Sequence, residues 1–186
     1  MKFTETNLKG AYIIEIERIG DERGFFGRQW CQNEMTRMGL NAKIAQVNTS
    51  LNKEKGTLRG LHFQKFPYQE TKLIRCIRGR IFDVIVDLRP DSVTFKKWFG
   101  LELAQDNYKM LYAPDNFAHG FITLEDNSEI LYLVSQFYHP EAEAGLRWND
   151  PQFSIEWPGQ VKVISEKDKF RPDFDENQYL NTFLNK

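Results

Sequence analysis

The sequence predicts an all-β fold, an antiparallel sandwich or barrel with a few short helices. Two observations support this prediction. Between residues 11 and 138, β-branched and aromatic residues alternate with polar ones in short runs separated by turn residues, and almost no segment shows a helical period. Many short strands at even spacing are typical of sandwiches and barrels, in which each strand buries one face.

The strand candidates share this alternation of apolar and polar residues. In chain order they cover residues 11–17, 42–51, 57–64, 72–88, 98–104, 109–114, 119–125 and 129–138. In the longest, "KLIRCIRGRIFDVIVDL", two alternating runs meet at Gly79. A glycine between two such runs is typical of a tight turn, so residues 72–88 are predicted to form a β-hairpin.

Helical segments are few. The best candidate is "QNEMTRMG" at residues 32–39, because Gly39 stands where a C-terminal cap is expected. A second helix is expected in the tail beyond Pro172. No repeat, low-complexity tract or linker divides the chain, so residues 1–186 are predicted to form a single domain.

Composition excludes several classes of function. The 25 basic and 26 acidic residues are interspersed and form no basic run, so nucleic acid is not expected as a partner. No apolar stretch approaches the roughly 20 residues needed to cross a bilayer, so no membrane partner is expected. Cys31 and Cys76 are too few for a disulfide framework or a thiolate metal site, which predicts reduced thiols and a cytoplasmic location.

Two of the three histidines lie in strand-like segments, His62 in "RGLHFQ" and His119 in "FAHGF". A lone histidine in a strand is usually a hydrogen-bonded core residue. A metal site of the β-barrel type would need an H-x-H pair with a carboxylate nearby, and the sequence has no H-x-H, so no metal site is predicted. His62 therefore fits an acid or a base better than a metal ligand.

Other catalytic motifs are missing from the sequence. It has no G-x-S-x-G elbow, no P-loop and no G-x-G-x-x-G, so neither a serine nucleophile nor a dinucleotide cofactor is predicted. What remains is a set of polar side chains that would meet in one cavity if they face inward from neighbouring strands. They are Arg23, Arg59, His62, Lys72, His119, Tyr132 and Tyr138. Strict alternation would place His62 on the same face as Leu58, Gly60 and Gln64, although each polar residue taken singly also fits a solvated face or a core rim.

Several longer motifs occur together and in register. They are "DERGFF" (21–26), "LRGLHFQ" (58–64), "KLIRCIRGRIFDVIVDLR" (72–89), "PDNFAHGF" (114–121), "WNDPQFSIEWP" (148–158) and "ISEKD" (164–168). In order and spacing, this set resembles the dTDP-4-dehydrorhamnose 3,5-epimerase family from about residue 3 to residue 172.

The resemblance implies a metal-free cupin-type jelly roll, a double-stranded β-helix, that pairs as a homodimer. It also implies an isomerase that inverts C3 and C5 of a nucleotide-linked 4-keto-6-deoxyhexose without a cofactor, on the way to dTDP-L-rhamnose. A ketone at C4 acidifies the hydrogens on both neighbouring carbons. A base on one face of the sugar can therefore remove a proton while an acid on the other face returns one.

The resemblance also assigns roles to individual residues. His62 matches the base, and Asp168 matches the carboxylate that orients it and stabilises the imidazolium. Tyr132 matches the acid on the opposite face, and Lys72 matches the cation beside the C4 oxygen. The remaining matches are substrate contacts, namely Arg23, Arg28, Gln46, Asn48, Arg59, His119, Tyr138, Glu143 and Lys167.

The chain departs from the family pattern at three positions. Arg28 stands where the family usually has a carboxylate, and Val47 and Thr49 replace a carboxylate and an imidazole. Arginine cannot accept a hydrogen bond from the N3–H of thymine but suits a base that offers acceptors, such as cytosine. One hypothesis is therefore that the nucleotide or the sugar of the substrate differs from that of the family. The other hypothesis is that Arg28 points to solvent and that Tyr138 and backbone groups still hold thymine.

Three alternatives to the double epimerase follow from these considerations. A mono-epimerase acting at C3 or C5 only would use the same catalytic residues. An epimerase for a CDP-linked or other 4-keto deoxysugar would explain the departures. A sugar-nucleotide-binding cupin without turnover fits less well, because a binding pocket alone does not need His62, Asp168, Lys72 and Tyr132 together.

Overall fold

The computed structural model describes residues 1–184, which form fourteen strands and three α-helices. The strands are β1 (Lys2–Glu5), β2 (Tyr12–Glu15), β3 (Arg18–Asp21), β4 (Gly24–Gly27), β5 (Gln46–Asn52), β6 (Thr57–Gln64), β7 (Lys72–Arg78), β8 (Arg80–Asp87), β9 (Trp98–Ala104), β10 (Lys109–Ala113), β11 (Phe117–Thr123), β12 (Ser128–Val134), β13 (Glu143–Gly145) and β14 (Val163–Ile164). The helices are α1 (Gln32–Arg37), α2 (Glu166–Lys169) and α3 (Glu176–Leu184).

Most of the strands belong to two sheets. The first has the order β1-β2-β10-β7-β12-β5, and the second has the order β13-β6-β11-β8-β9 with β14 added beside β6. β3 and β4 pair only with each other. Neighbouring strands run antiparallel, except that β14 runs parallel to β6. The predicted antiparallel sandwich is confirmed, and all predicted strands overlap observed ones.

The inward faces of the two sheets share one apolar core. Ile74 and Leu111 of the first sheet pack with Ile85 and Phe121 of the second, and all four side chains are buried. Burying one such side chain contributes about 1.5–3 kcal/mol relative to leaving it exposed. The core therefore fixes how the two sheets face each other.

Helices α1 and α3 cover the outer faces of the sheets. Met35 of α1 packs against Ile14 on the first sheet, and Tyr179 of α3 packs against Leu61 on the second. Gly39, with a φ of 71°, donates its backbone N–H to the carbonyl of Thr36 just after α1, so the predicted C-terminal cap is confirmed. Among the described residues, no helix is long and apolar enough to cross a bilayer.

The predicted hairpin at residues 72–88 is wrong. β7 pairs with β10 and β12 in the first sheet, whereas β8 pairs with β11 and β9 in the second. Between them, Gly79 adopts a φ of 71°, and a Cβ there would lie 2.6 Å from the hydroxyl of Ser128. The chain turns a corner between the sheets at this point, a connection that alternation around a glycine does not distinguish from a hairpin.

Candidate active site

The strand registers bring most of the predicted polar residues to the inward faces of the two sheets. His62 on β6 lies opposite His119 on β11. On the first sheet, Tyr132 lies opposite Ile74, a core residue, so Tyr132 also faces inward. Lys72 is two residues from Ile74 on β7 and shares its face. The side chains predicted to act as acid, base and cation therefore belong to three different strands that face one interior.

A β-bulge in β6 puts His62 and Arg59 on the same face. His119 pairs with His62 and Phe121 pairs with Arg59, so two steps along β11 correspond to three steps along β6. Since Phe121 is a core residue, Arg59 faces inward together with His62. The simple alternation that joins His62 to Leu58 and Gly60 is therefore wrong, because the bulge interrupts it.

His62 and Asp168 form the central contact of the site. Asp168 Oδ1 lies 2.7 Å from His62 Nε2, and Asp168 Oδ2 accepts a hydrogen bond of 3.2 Å from the backbone N–H of Gly60. Burial would raise the pKa of Asp168, but these hydrogen bonds, His62 first among them, hold it below its ordinary value. An ionised carboxylate beside the imidazole stabilises the ring when it takes up a proton.

The short helix α2 positions Asp168. Ser165 is its N-cap, and the hydroxyl of Ser165 accepts a hydrogen bond of 3.1 Å from the backbone N–H of Asp168. β14, just before α2, pairs with the start of β6. The strand that carries His62 and the helix that carries Asp168 are therefore attached to each other by backbone hydrogen bonds.

Lys72 is held by two contacts. Its ammonium donates a hydrogen bond of 3.1 Å to the carbonyl of His62 and lies 3.2 Å from a carboxylate oxygen of Glu70. The side chains of Lys72 and Glu70 are both largely buried. The cation is therefore fixed beside the strand that carries His62.

Tyr132 and His119 meet across the two sheets. Their rings pack edge to face with centroids 6.0 Å apart. Burial, reinforced by the negative charge of Asp83, raises the pKa of Tyr132 well above its ordinary value. The phenol is therefore protonated at neutral pH, as a proton donor must be.

Glu143 contacts two other predicted substrate contacts and one further cation. It accepts a hydrogen bond of 2.7 Å from the hydroxyl of Tyr138 and lies 2.6 Å from the ammonium of Lys167 and 3.1 Å from Arg171. Burial would raise the pKa of Glu143, but the bonds from Lys167 and Tyr138 hold it below its ordinary value. In this arrangement Tyr138 stays largely exposed.

β5 supplies an inward polar row beside Tyr132. Asn48 pairs with Tyr132, and Gln46 lies two residues away on the same face. The side chain of Gln46 accepts the backbone N–H of Tyr138 at 2.9 Å, and Arg59 donates to Asn52 on the same strand at 2.7 Å. These residues line the interior next to Tyr132.

Arg23 and Arg28 lie outside the cavity that contains His62. Arg23 pairs with Asp21 on the β3–β4 hairpin, and Arg28 pairs with Glu34 at 3.0 Å. Both arginine side chains are exposed, and neither lines the cavity around His62. Their role as substrate contacts stays a prediction.

A cavity of about 420 Å³ lies beside the His62–Asp168 pair. It is lined by Arg59, His62, Glu143, Lys167 and Asp168 together with residues of β6 and β14. A larger cavity of about 520 Å³ lies beside Arg89 and Val93, but it contains neither histidine nor tyrosine. Of the two, the smaller cavity is therefore the one that contains the His62–Asp168 pair; Lys72 and Tyr132 are not among its lining residues. Among residues 1–184, no group of three or more His, Cys, Asp or Glu side chains is arranged to hold a metal ion.

Two carboxylates near the site are missing from the sequence-based set. Asp83 is fully buried and lies 2.7 Å from His119, and Glu70 pairs with Lys72. Asp83 has a signal in the sequence, since it is the charged member of an otherwise apolar inward row with Ile81 and Ile85. Glu70 lies in the segment before β7 and has no such signal.

The comparisons with known proteins agree on one family. A family model described as dTDP-4-dehydrorhamnose 3,5-epimerase matches residues 5–176. The dTDP-4-dehydrorhamnose 3,5-epimerase of Escherichia coli (strain K12) is 42% identical over 171 residues, which are 91% of this chain and 92% of that protein.

Solved structures give the same result. The dTDP-4-dehydrorhamnose 3,5-epimerase from Elizabethkingia anophelis superposes with a TM-score of 0.90 at 41% identity, covering 94% of this chain and 96% of that one. The epimerase RmlC from Legionella pneumophila, in complex with dTDP-4-keto-L-rhamnose, superposes with a TM-score of 0.83 at 37% identity, covering 90% and 89%. The cupin-like jelly-roll fold implied by the sequence motifs is confirmed.

Proposed function

Because this chain belongs to the dTDP-4-dehydrorhamnose 3,5-epimerase family, we propose that the His62 cavity is the place where it acts on its substrate. The chain is an isomerase that converts dTDP-4-dehydro-6-deoxy-D-glucose into dTDP-4-dehydro-L-rhamnose by inverting C3 and C5. The observation that carries the assignment of the site is the hydrogen bond of 2.7 Å between His62 and the buried Asp168.

In the proposed first step, His62 removes the proton from the carbon next to the C4 ketone. The electron pair of the C–H bond forms a double bond to C4, and the C4 oxygen takes the negative charge. Lys72, fixed beside His62 by its own hydrogen bond, supplies a positive charge for that oxygen. Asp168 stabilises the imidazolium of His62 while the enolate exists.

In the second step, Tyr132 returns a proton to the opposite face of the same carbon, which inverts it. Tyr132 lies on the first sheet and His62 on the second, so the two groups approach the interior from opposite sides. This placement supports an acid and a base on the two faces of one sugar ring. When His62 has released its proton to water and Tyr132 has taken one up from water, both steps repeat at the other carbon and complete the double epimerisation.

We propose that two copies of the chain form a homodimer through β5 and the β3–β4 hairpin. β5 is an edge strand, and its outward side chains Val47 and Leu51 are 58% and 50% exposed. The hairpin exposes Ile19 and Phe26, which are 72% and 69% exposed. A hairpin that pairs with neither sheet is well placed to pack on a second copy.

The homodimer would also explain Arg23. Its side chain is 85% exposed and lies outside the cavity of its own chain. If Arg23 contacts substrate, the hairpin must deliver it to the cavity of the partner. Mixing His62→Asn and Arg23→Met subunits should then restore one intact site in each mixed dimer, whereas Arg23 acting within its own chain would give no recovery.

The dimer has a direct test. Val47→Asp places charges on the proposed interface and should shift the protein from dimer to monomer in analytical ultracentrifugation. Val93→Asp is the matched control, because Val93 is 92% exposed and lies outside β5 and the β3–β4 hairpin. An unchanged mass for Val47→Asp would refute this interface.

Two further expectations from the sequence stay proposals. We propose a cytoplasmic location, which is supported by Cys31 and Cys76 being free thiols. We also propose that residues 1–186 act as one domain, which is supported by the core that both sheets share.

The site assignment is tested by turnover of the dTDP-linked substrate. Purified protein should convert dTDP-4-dehydro-6-deoxy-D-glucose, and His62→Asn should lose about 10²- to 10⁴-fold in kcat while remaining folded. The CDP-linked sugar, offered in parallel, should be the poorer substrate. Full activity of folded His62→Asn would overturn the proposed site.

A further inference from the structure

A second histidine–aspartate pair lies on the strands next to β6. His119 Nε2 is 2.7 Å from Asp83 Oδ1, and Asp83 is completely buried. His119 itself is 5% exposed. The pair joins β11 to the neighbouring strand β8, on the inward face that also carries His62.

Asp83 is costly for the fold. It alternates with Ile81 and Ile85, which are fully buried in the core, so an apolar residue would suit its position. Its Oδ2 atom is buried and has no hydrogen-bond partner among the described residues. An unsatisfied buried polar atom of this kind lowers stability, so packing does not explain why a carboxylate is present.

The surroundings of Asp83 explain its presence better. Its charge interacts with Lys72 on the first sheet and with His119 on the second. It also contributes to raising the pKa of Tyr132, whose other charged and titratable neighbours are Arg59 and Cys76. Of these neighbours, His119 is the one that lies within hydrogen-bond distance of the carboxylate, so the direct route from Asp83 to the site runs through this ring.

We infer that Asp83 is a positioning residue that acts through His119. Its carboxylate accepts the Nε2–H of His119, which fixes the ring and leaves Nδ1 as the ring nitrogen for the substrate. Without that bond, His119 could rotate or present the other tautomer. This inference rests on the proposed function, because it takes the His62 cavity to be the site of epimerisation.

The first test is a proton and nitrogen NMR spectrum of protein labelled with ¹⁵N-histidine. The chain has three histidines, so the signals can be assigned with single variants. We expect His119 to show a hydrogen-bonded Nε2–H that is absent from His119→Asn and altered in Asp83→Asn. An Nδ1–H tautomer of His119 in the unmodified protein would overturn the inference, and this readout needs neither activity nor a variant at position 83.

The second test is a double-mutant cycle on turnover. Asp83→Asn should lower kcat on the order of 10²-fold with little change in KM, the pattern of an interaction used mainly in the transition state. In a His119→Asn background, the same change should alter kcat by less than about twofold, because the two residues act as one unit. The inference would be overturned if the double variant lost kcat by the product of the two single losses, or if Asp83→Asn changed KM alone.

The control is Asp87→Asn. Asp87 is also fully buried on β8, but it bonds to Arg89, Ser92 and Thr94 outside the cavity. We expect this variant to lose stability while keeping its kcat. If the unmodified protein does not turn over the dTDP-sugar, the proposed function is wrong. The His119 spectrum then still tests the contact between Asp83 and His119, because it does not depend on turnover.

Discussion

Replacing Asp168 by asparagine removes one negative charge from the dyad and keeps the size of the side chain. In the structure, Asp168 is 4% exposed, and its carboxylate accepts the Nε2–H of His62 at 2.7 Å. An asparagine amide can instead donate to Nε2, which would place the ring proton on Nδ1, the nitrogen that must be unprotonated to act as the base. Asp168→Asn should therefore impair proton removal and leave substrate binding nearly intact.

The size of the effect follows from the lost contact. A hydrogen bond to a charged group contributes about 1.5–3 kcal/mol, which corresponds to about 10- to 160-fold in rate at 1.36 kcal/mol per tenfold. The general base as a whole contributes about 10²- to 10⁴-fold. We therefore expect Asp168→Asn to lower kcat by about 10²-fold.

The assay is proton NMR in deuterated water, in which hydrogen loss at C3 and C5 of dTDP-4-dehydro-6-deoxy-D-glucose reports proton removal. Asp150→Asn is the matched control. Asp150 is 2% exposed and accepts the backbone N–H groups of Gln152 and Phe174, away from the cavity. The reasoning is refuted if folded Asp168→Asn exchanges both hydrogens within about threefold of the unmodified rate.

Three further substitutions test the remaining parts of the site. Tyr132→Phe should still exchange hydrogen for deuterium but should form inverted product about 10²- to 10⁴-fold more slowly, because only the acid is lost; equal slowing of both processes in NMR would contradict this role. Lys72→Met should lower kcat about 10²- to 10³-fold through loss of the charge beside the C4 oxygen, and an unchanged kcat in steady-state assays would contradict it. Ser165→Ala should remove the N-cap of α2 and lower stability by about 1 kcal/mol, a fall in Tm of about 2–4 °C by calorimetry, whereas an unchanged Tm would show that the cap does not stabilise α2.

The strands could be predicted because their signal is local. β6 and β9 begin and end where the alternation of residues 57–64 and 98–104 begins and ends. The partner of each strand is not a local property, and this is why the hairpin at Gly79 is wrong. The residues that pair with β7 on β12 lie 51 to 62 positions further along the chain, and those that pair with β8 on β11 lie 30 to 42 positions further along.

The site, like the fold, has features that local sequence patterns predict and features that depend on distant residues. No spacing rule joins His62 to Asp168, which lies 106 residues later, and only the set of long motifs indicates that the two meet. The bulge that turns Arg59 inward has no signal in the alternation, because it depends on the register between β6 and β11. Asp83 could have been found by asking why a charged residue interrupts the inward row of β8.

The most direct test of the central claim is the unmodified protein itself, incubated with dTDP-4-dehydro-6-deoxy-D-glucose in deuterated water and followed by proton NMR at C3 and C5 separately. We predict that both hydrogens are replaced by deuterium and that both carbons are inverted. Exchange at only one carbon would contradict the double epimerase and indicate a mono-epimerase. Exchange at neither carbon in folded protein would contradict the assignment of this substrate.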